Sequence, residues 1–289
     1  MAETIRNPIE WGVDQLRHAA AGFGAAGRAL EHIPETLHSP RPRVRRIDLT
    51  DLRDALVRGA DDFGACRSDV IFLCAFYPLA GIVLGRMVFG VHLLPLLFPL
   101  VAGFALLGPM AAVGLLEMSR RREQGEPVTW ATAFRVVRAP SFAAIVMLGL
   151  LLLAIFLLWM GAAALIYRAT LGPALPASFG GFVHDVFATP QGWTMIGVGI
   201  GVGFVFAVLV LTISIVSFAL LLDRDAGIDT AVSTSIRVVR ENPGPMAVWG
   251  VVTASGLVIG SLPLLLGLVV VFPILGHATW HLYRKVVWR

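Results

Sequence analysis

Six apolar stretches, each long enough to cross a bilayer, constrain this 289-residue chain more than any other feature. Crossing ~30 Å of hydrocarbon takes about 20 helical residues. With no water available, the backbone must satisfy its own polar groups, which favours helices. Such runs lie at 70–89, 93–118, 141–168, 192–222, 244–262 and 264–283. Pro263, after Gly260 and Ser261, separates the last two. The run at 192–222 is longer than a crossing needs, which predicts tilt or extension beyond the bilayer. Only 15% of the residues are charged, against about 25% in soluble domains. The expected fold class is an all-α membrane protein with six transmembrane helices.

Charge placement orients the spans. Of 23 cationic side chains, 21 fall before the first run, between runs two and three, between runs four and five, or after run six. Only Arg86 and Arg168 fall on the other side. The positive-inside rule makes the rich side cytoplasmic, so both ends are expected there, in the bacterial inner membrane. Residues 1–30 contain no apolar signal-like core, so the first span is expected to direct insertion. The basic balance is expected to meet anionic lipid headgroups rather than nucleic acid, because the arginines bracket the spans. Cys66 and Cys74 lack metal-ligand spacing and read as packing residues.

Residues 1–47 read as a cytoplasmic arm. Ile9, Val13, Leu16, Ala20 and Phe23 recur at helical spacing, and the Pro/Arg-rich stretch 34–46 follows as a tether. The arm is a candidate docking site for a protein partner. Residues 48–289 form the expected membrane domain.

Within that domain, residues 122–138 align without gaps on 224–240. The identities are Arg122/Arg224, Gly125/Gly227, Thr132/Thr234, Arg135/Arg237, Val136/Val238, Val137/Val239 and Arg138/Arg240. Trp130, Phe134 and Val137 fall on Val232, Ile236 and Val239, so each copy predicts an amphipathic helix. Residues 51–63, with a stripe of Leu52, Leu56, Ala60 and Phe63, play the same part before the first span. The expected architecture is three hairpins, each preceded by a cytoplasmic interfacial helix. Phe179, Phe182, Val183, Val186 and Phe187 predict a further surface helix in the loop 169–191.

Small residues four apart, as in Gly81/Gly85, Gly197/Gly201, Gly199/Gly203 and Gly256/Gly260, permit close helix packing. Pro78, Pro95, Pro99, Pro109 and Pro273 predict kinks. The polar residues nearest the spans gather at the cytoplasmic boundary: Glu117, Arg122, Asp223, Arg224, His277 and His281. They read either as an ion-pair layer or as a polar site for an anionic headgroup or a proton relay. No catalytic residue, cofactor ligand or metal ligand is assigned. A haem needs histidines on facing helices, and only His277 and His281, on one helix, are placed near the spans. No nucleophile elbow, P-loop or metalloprotease motif is present, so an enzyme is not the expected class.

Three strings are specific: LLGPMAAVGLLEMSRRREQGE at 106–126, LLLDRD at 220–225 and LGHATWHLYRK at 275–285. They resemble the bacterial integral membrane family called domain of unknown function 2189, over about 48–287. The resemblance implies an inner-membrane protein of a family without an assigned activity. Members are sometimes labelled cytochrome oxidase subunit I, which the histidine placement argues against. The function expected is binding or organising lipid, or moving a small hydrophobic or anionic molecule. The alternative is an accessory or assembly factor for another membrane complex, docked through residues 1–47, and a membrane-embedded enzyme ranks third.

Overall fold

The structure, a computed structural model, describes residues 42–66, 94–172, 174, 176, 178–224, 226–263 and 265–288. The apolar run 70–89 and the arm helix read over residues 9–23 lie outside them. Among the described residues the regular elements are helical, with one isolated antiparallel bridge between Val44 and Val287.

Among the described residues three helices are long and apolar enough to cross a membrane: α5 (Phe142–Thr170), the pair α7 (Pro190–Ser214) and α8 (Ser217–Asp223), and α10 (Pro243–Ser261). At 1.5 Å per residue, the 29 residues of α5 span about 43 Å. Leu150, Leu157, Leu158 and Leu165 on α5, and Ile200, Phe204 and Val205 on α7, are exposed. Large apolar side chains facing outward along whole helices match lipid, not water. Between α5 and α7, Trp159 is buried against Phe206, with ring centroids 5.7 Å apart. Its Nε1–H donates to the Pro99 carbonyl at 2.9 Å, so the indole's one polar group is satisfied inside the bundle.

The run 93–118 is helical but segmented. A 3₁₀ turn (Leu94–Leu96) leads into α2 (Leu97–Leu106), α3 (Gly108–Ala111) and α4 (Val113–Glu123). Pro109 sits in the first turn of α3, where its missing N–H costs least. The run 192–222 also breaks, at Ile215 and Val216. Beyond that break all of Ser217–Leu222 is buried, so the excess length of the run becomes core. A surface helix, α6 (Phe179–Ala188), does occupy the 169–191 loop, N-capped by Ser178.

The arginine-rich end is packed differently from the lipid-matched helices. Here α1 (Leu49–Ala65), α4, α8, α9 (Ile228–Glu241) and the last turns of α11 (Leu268–Val286) enclose Phe218, Trp280, Tyr283, Leu116 and Met118, all fully buried. Asp48 caps α1, accepting from the backbone N–H of Thr50 and Asp51. The buried face of α1 is Leu52, Ala55, Gly59 and Asp62. The expected stripe is off by part of a turn: Ala60 is exposed, and Leu56 and Phe63 are only half-buried. A Cβ on Gly59 would lie 2.6 Å from the Ala278 nitrogen and 2.7 Å from the Ile274 oxygen. Glycine is what lets α1 lie flush on α11.

Asn242 ends α9 and ties it to the chain before α1. Its Oδ1 accepts from the Ile47 N–H at 2.8 Å, and its Nδ2 donates to the Arg45 carbonyl at 3.2 Å. The α10–α11 turn contains Leu265 at φ 67°, a strained value for a branched side chain. There Gly267 lies so close to Gly260 that a Cβ would meet the Gly260 oxygen at 2.7 Å.

The Gly59 contact predicts a specific asymmetry in α1. Gly59→Ala should destabilise by about 1–3 kcal/mol through overpacking. Gly64→Ala on the same helix, with nothing within 4 Å, should not. Thermal unfolding of the purified protein in detergent measures both, and equal melting temperatures for the two variants would refute the packing account.

Candidate functional site

The six polar residues singled out in the sequence gather at this end, but in two places. Glu117, Asp223 and Arg224 line an open cleft. Arg122, His277 and His281 belong to a buried centre on the other face of α4, around Asp62. Short α4 therefore carries both: Glu117, Arg120 and Arg121 on one side, Ser119 and Arg122 on the other.

In the buried centre, Asp62 is 5% exposed and its carboxylate draws donors from two helices. Ser119 Oγ donates to Oδ2 at 2.6 Å, and His281 Nε2 lies 2.9 Å from the same oxygen. Arg122 donates to Oδ1. Ser119 Oγ, with its proton on Asp62, lies 2.7 Å from His277 Nδ1, which fixes the His277 proton on Nδ1. His277 Nε2 is then a buried acceptor that no donor reaches among the described residues. Burial pushes the Asp62 carboxyl up, but the hydrogen bonds from His281 and Ser119 outweigh it and hold the group below its ordinary value. Among the described residues no group of three His, Cys, Asp or Glu side chains is placed to hold a metal.

The cleft lies between α4, the end of the 3₁₀ helix Trp130–Arg138, residues 139–141 leading into α5, and α8 with Arg224. Its volume is about 440 Å³. Five arginines line it: Arg120, Arg121, Arg135, Arg138 and Arg224. Glu117, 1% exposed, is held by Arg120 through Nε at 2.7 Å and Nη2 at 3.0 Å, and by Arg121 at 2.8 Å. Arg121 and Arg135 share Glu126, at 2.9 and 3.3 Å. Asp223 accepts from the Tyr283 hydroxyl at 2.7 Å and lies 3.5 Å from Arg284. Arg284 also pairs with Glu123 at 3.0 Å and stacks on Trp280. Arg138 has no ion-pair partner among the described residues.

Sequence reasoning reached the carboxylates and the histidines but missed Asp62, Ser119, Arg135 and Arg138 as site residues. Asp62 was legible in principle. It continues Leu52, Ala55 and Gly59 at spacings of 3, 4 and 3, so an acid on that face had to be buried. Arg135 and Arg138 are three apart, and in a 3₁₀ helix such residues eclipse, which a 3.6-residue reading does not bring out. The face this helix buries is Thr132 and Val136, while Trp130 and Phe134 point out as an edge-to-face pair 6.1 Å apart. In α9 the buried residues include Thr234 and Val238.

A depressed carboxyl stabilises the fold above its unfolded pKa and loses that contribution as pH falls through its folded value. Asp62→Asn should therefore cost roughly 2–3 kcal/mol at pH 7, and the gap to the native protein should close below about pH 4. Asp61→Asn, at the exposed neighbour, should do neither. Melting curves at the two pH values measure this, and a gap that persists at low pH would contradict it.

No curated protein and no solved structure matches the chain. A family model matches residues 97–223, a shorter stretch than the 48–287 of the resemblance, taking in the string 106–126 but not 275–285. Its segment runs from the start of α2 to the end of α8, through most of the cleft wall. With three helices apolar enough to span and a match over 97–223 to the family described as predicted integral membrane protein (DUF2189), the chain is an integral membrane protein.

Proposed function

We propose that this integral membrane protein is a non-enzymatic bundle that binds anionic lipid headgroups at a cytoplasmic boundary rich in arginine. The reading includes six spans in three hairpins, in the bacterial inner membrane, with both ends in the cytoplasm. The arginine counts support that orientation. Helices α9 and the 3₁₀ segment lead into α10 and α5 as the hairpin scheme requires.

One observation carries the function: an open cleft with five arginines at the ends of apolar helices. Clustered guanidiniums repel one another unless anions intervene, and the cleft's own two carboxylates are fewer than its arginines. Guanidinium forks match phosphate oxygens geometrically. Headgroups are the phosphates present at that depth in a bilayer. Trp130 and Phe134, exposed on the 3₁₀ helix beside the cleft, suit the interface where headgroups and acyl chains meet.

Native mass spectrometry after delipidation tests the reading. With phosphatidylglycerol and phosphatidylcholine returned at equal mole fraction, the anionic lipid should be retained preferentially. Joint Arg135→Gln and Arg138→Gln substitution should lower that preference about tenfold, the equivalent of one charge-assisted contact. Equal retention of the two lipids by the native protein would reject the proposal.

A further inference from the structure

We infer that the cleft is built for a phosphomonoester, a terminal dianionic phosphate, in preference to a phosphodiester; this rests on the anion-binding reading above. Three observations converge on it. The first is charge. The lining holds five arginines and two carboxylates, an excess of three positive charges. Glu126, at the rim, pairs with Arg121 and Arg135 and offsets one of these. An excess of two remains, and a phosphomonoester carries about −1.5 to −2 at neutral pH, where a diester carries one charge.

The second is an unpartnered hydroxyl. Ser141 lines the cleft as the N-cap of α5 and is 7% exposed. It makes no capping hydrogen bond, whereas Ser178 and Thr189 cap α6 and α7 through theirs. No other partner for its Oγ is present among the described residues. A hydroxyl left without a partner at a helix start, in a residue otherwise packed into the protein, is free to donate to an acceptor that enters the cleft. It stands at the positive end of a 29-residue helix, whose first N–H groups also favour an anion.

The third is the arrangement of the cations. Arg138, without an ion-pair partner among the described residues, and Arg135, which shares Glu126 with Arg121, lie on one ridge of the 3₁₀ helix. Arg224, which donates to the Trp288 carbonyl and lies 3.9 Å from Asp223, stands on the wall formed by α8. Donors from two walls and a helix start call for an acceptor with three free oxygens. A terminal phosphate has three; a diester has two outside its ester links.

That phosphate can belong to a lipid or to a soluble phosphomonoester, and one experiment separates the two. The full chain in phosphatidylcholine nanodiscs is given phosphatidic acid or phosphatidylglycerol at equal mole fraction, with and without inorganic phosphate. Retained lipid is read by mass spectrometry and protein stability by melting temperature. The expected result is about tenfold preference for phosphatidic acid over phosphatidylglycerol. That preference should be lost in Arg138→Gln and reduced in Ser141→Ala, with unchanged melting temperatures in the absence of ligand. Arg138→Lys, which keeps the charge and loses the fork, should retain part of it. Stabilisation by inorganic phosphate without lipid preference upholds the chemistry and assigns it to a soluble source. Equal retention of both anionic lipids, without phosphate stabilisation, overturns the monoester inference and leaves the anionic-headgroup reading standing. No retention of either above phosphatidylcholine, again without phosphate stabilisation, overturns both.

Discussion

The buried carboxylate of Asp62 is the interaction on which the arginine-rich end depends. It draws Ser119 and Arg122 from α4 and His281 from α11 onto a residue of α1. Three helices distant in sequence are thereby held in one relative position. A carboxylate loses much of its solvation when buried, and only several well-placed donors offset that cost. Removing a donor leaves the charge buried and underpaired, so the centre holds as a unit. Gly59, one helical turn before Asp62, sets the distance, because any larger residue would keep α1 off α11 and the carboxylate out of reach.

The position of α4 matters because its opposite face forms the cleft. Glu117 is fully occupied by Arg120 and Arg121, so it acts as a brace that fixes two guanidiniums in place. Bracing of this kind limits the rotamer entropy lost when a ligand arrives. Arg138 and Arg135 come from a separate element, and Arg224 from the end of α8. Asp223 and Glu123, both paired with Arg284, join α4, α8 and α11 across the same layer. The buried centre and the cleft are therefore two sides of one ion-pair layer: the first fixes the helices, and the second presents cations outward.

Hydropathy made the apolar helices legible. Runs at 141–168, 192–222 and 244–262 coincide with α5, α7–α8 and α10, because a length of lipid-soluble side chains leaves few other folds. The segmentation at Leu107 and Ala112 was legible only as a kink at Pro109, and the break at Ile215 and Val216 was not legible, since apolar content is the same in a straight helix and a broken one. The phase of α1 was missed for a different reason. Leu56 and Phe63 outweigh Ala55 and Gly59 in hydrophobicity, yet close packing selects small residues for the contact with α11. That misphasing turned Asp62 outward on paper and hid the centre of the polar layer. The charged residues at the span ends were visible as a group, but their division between two faces of α4 needed the helix rotation, which residue types alone do not supply.

The account stands on the cleft holding a phosphate at the start of α5. A structure determined in nanodiscs containing phosphatidic acid tests that most directly. It should show phosphate-sized density within hydrogen-bond reach of Arg138 and Ser141. A well-ordered Asp62 centre beside an empty cleft, with headgroups ordered only elsewhere on the protein, would contradict it.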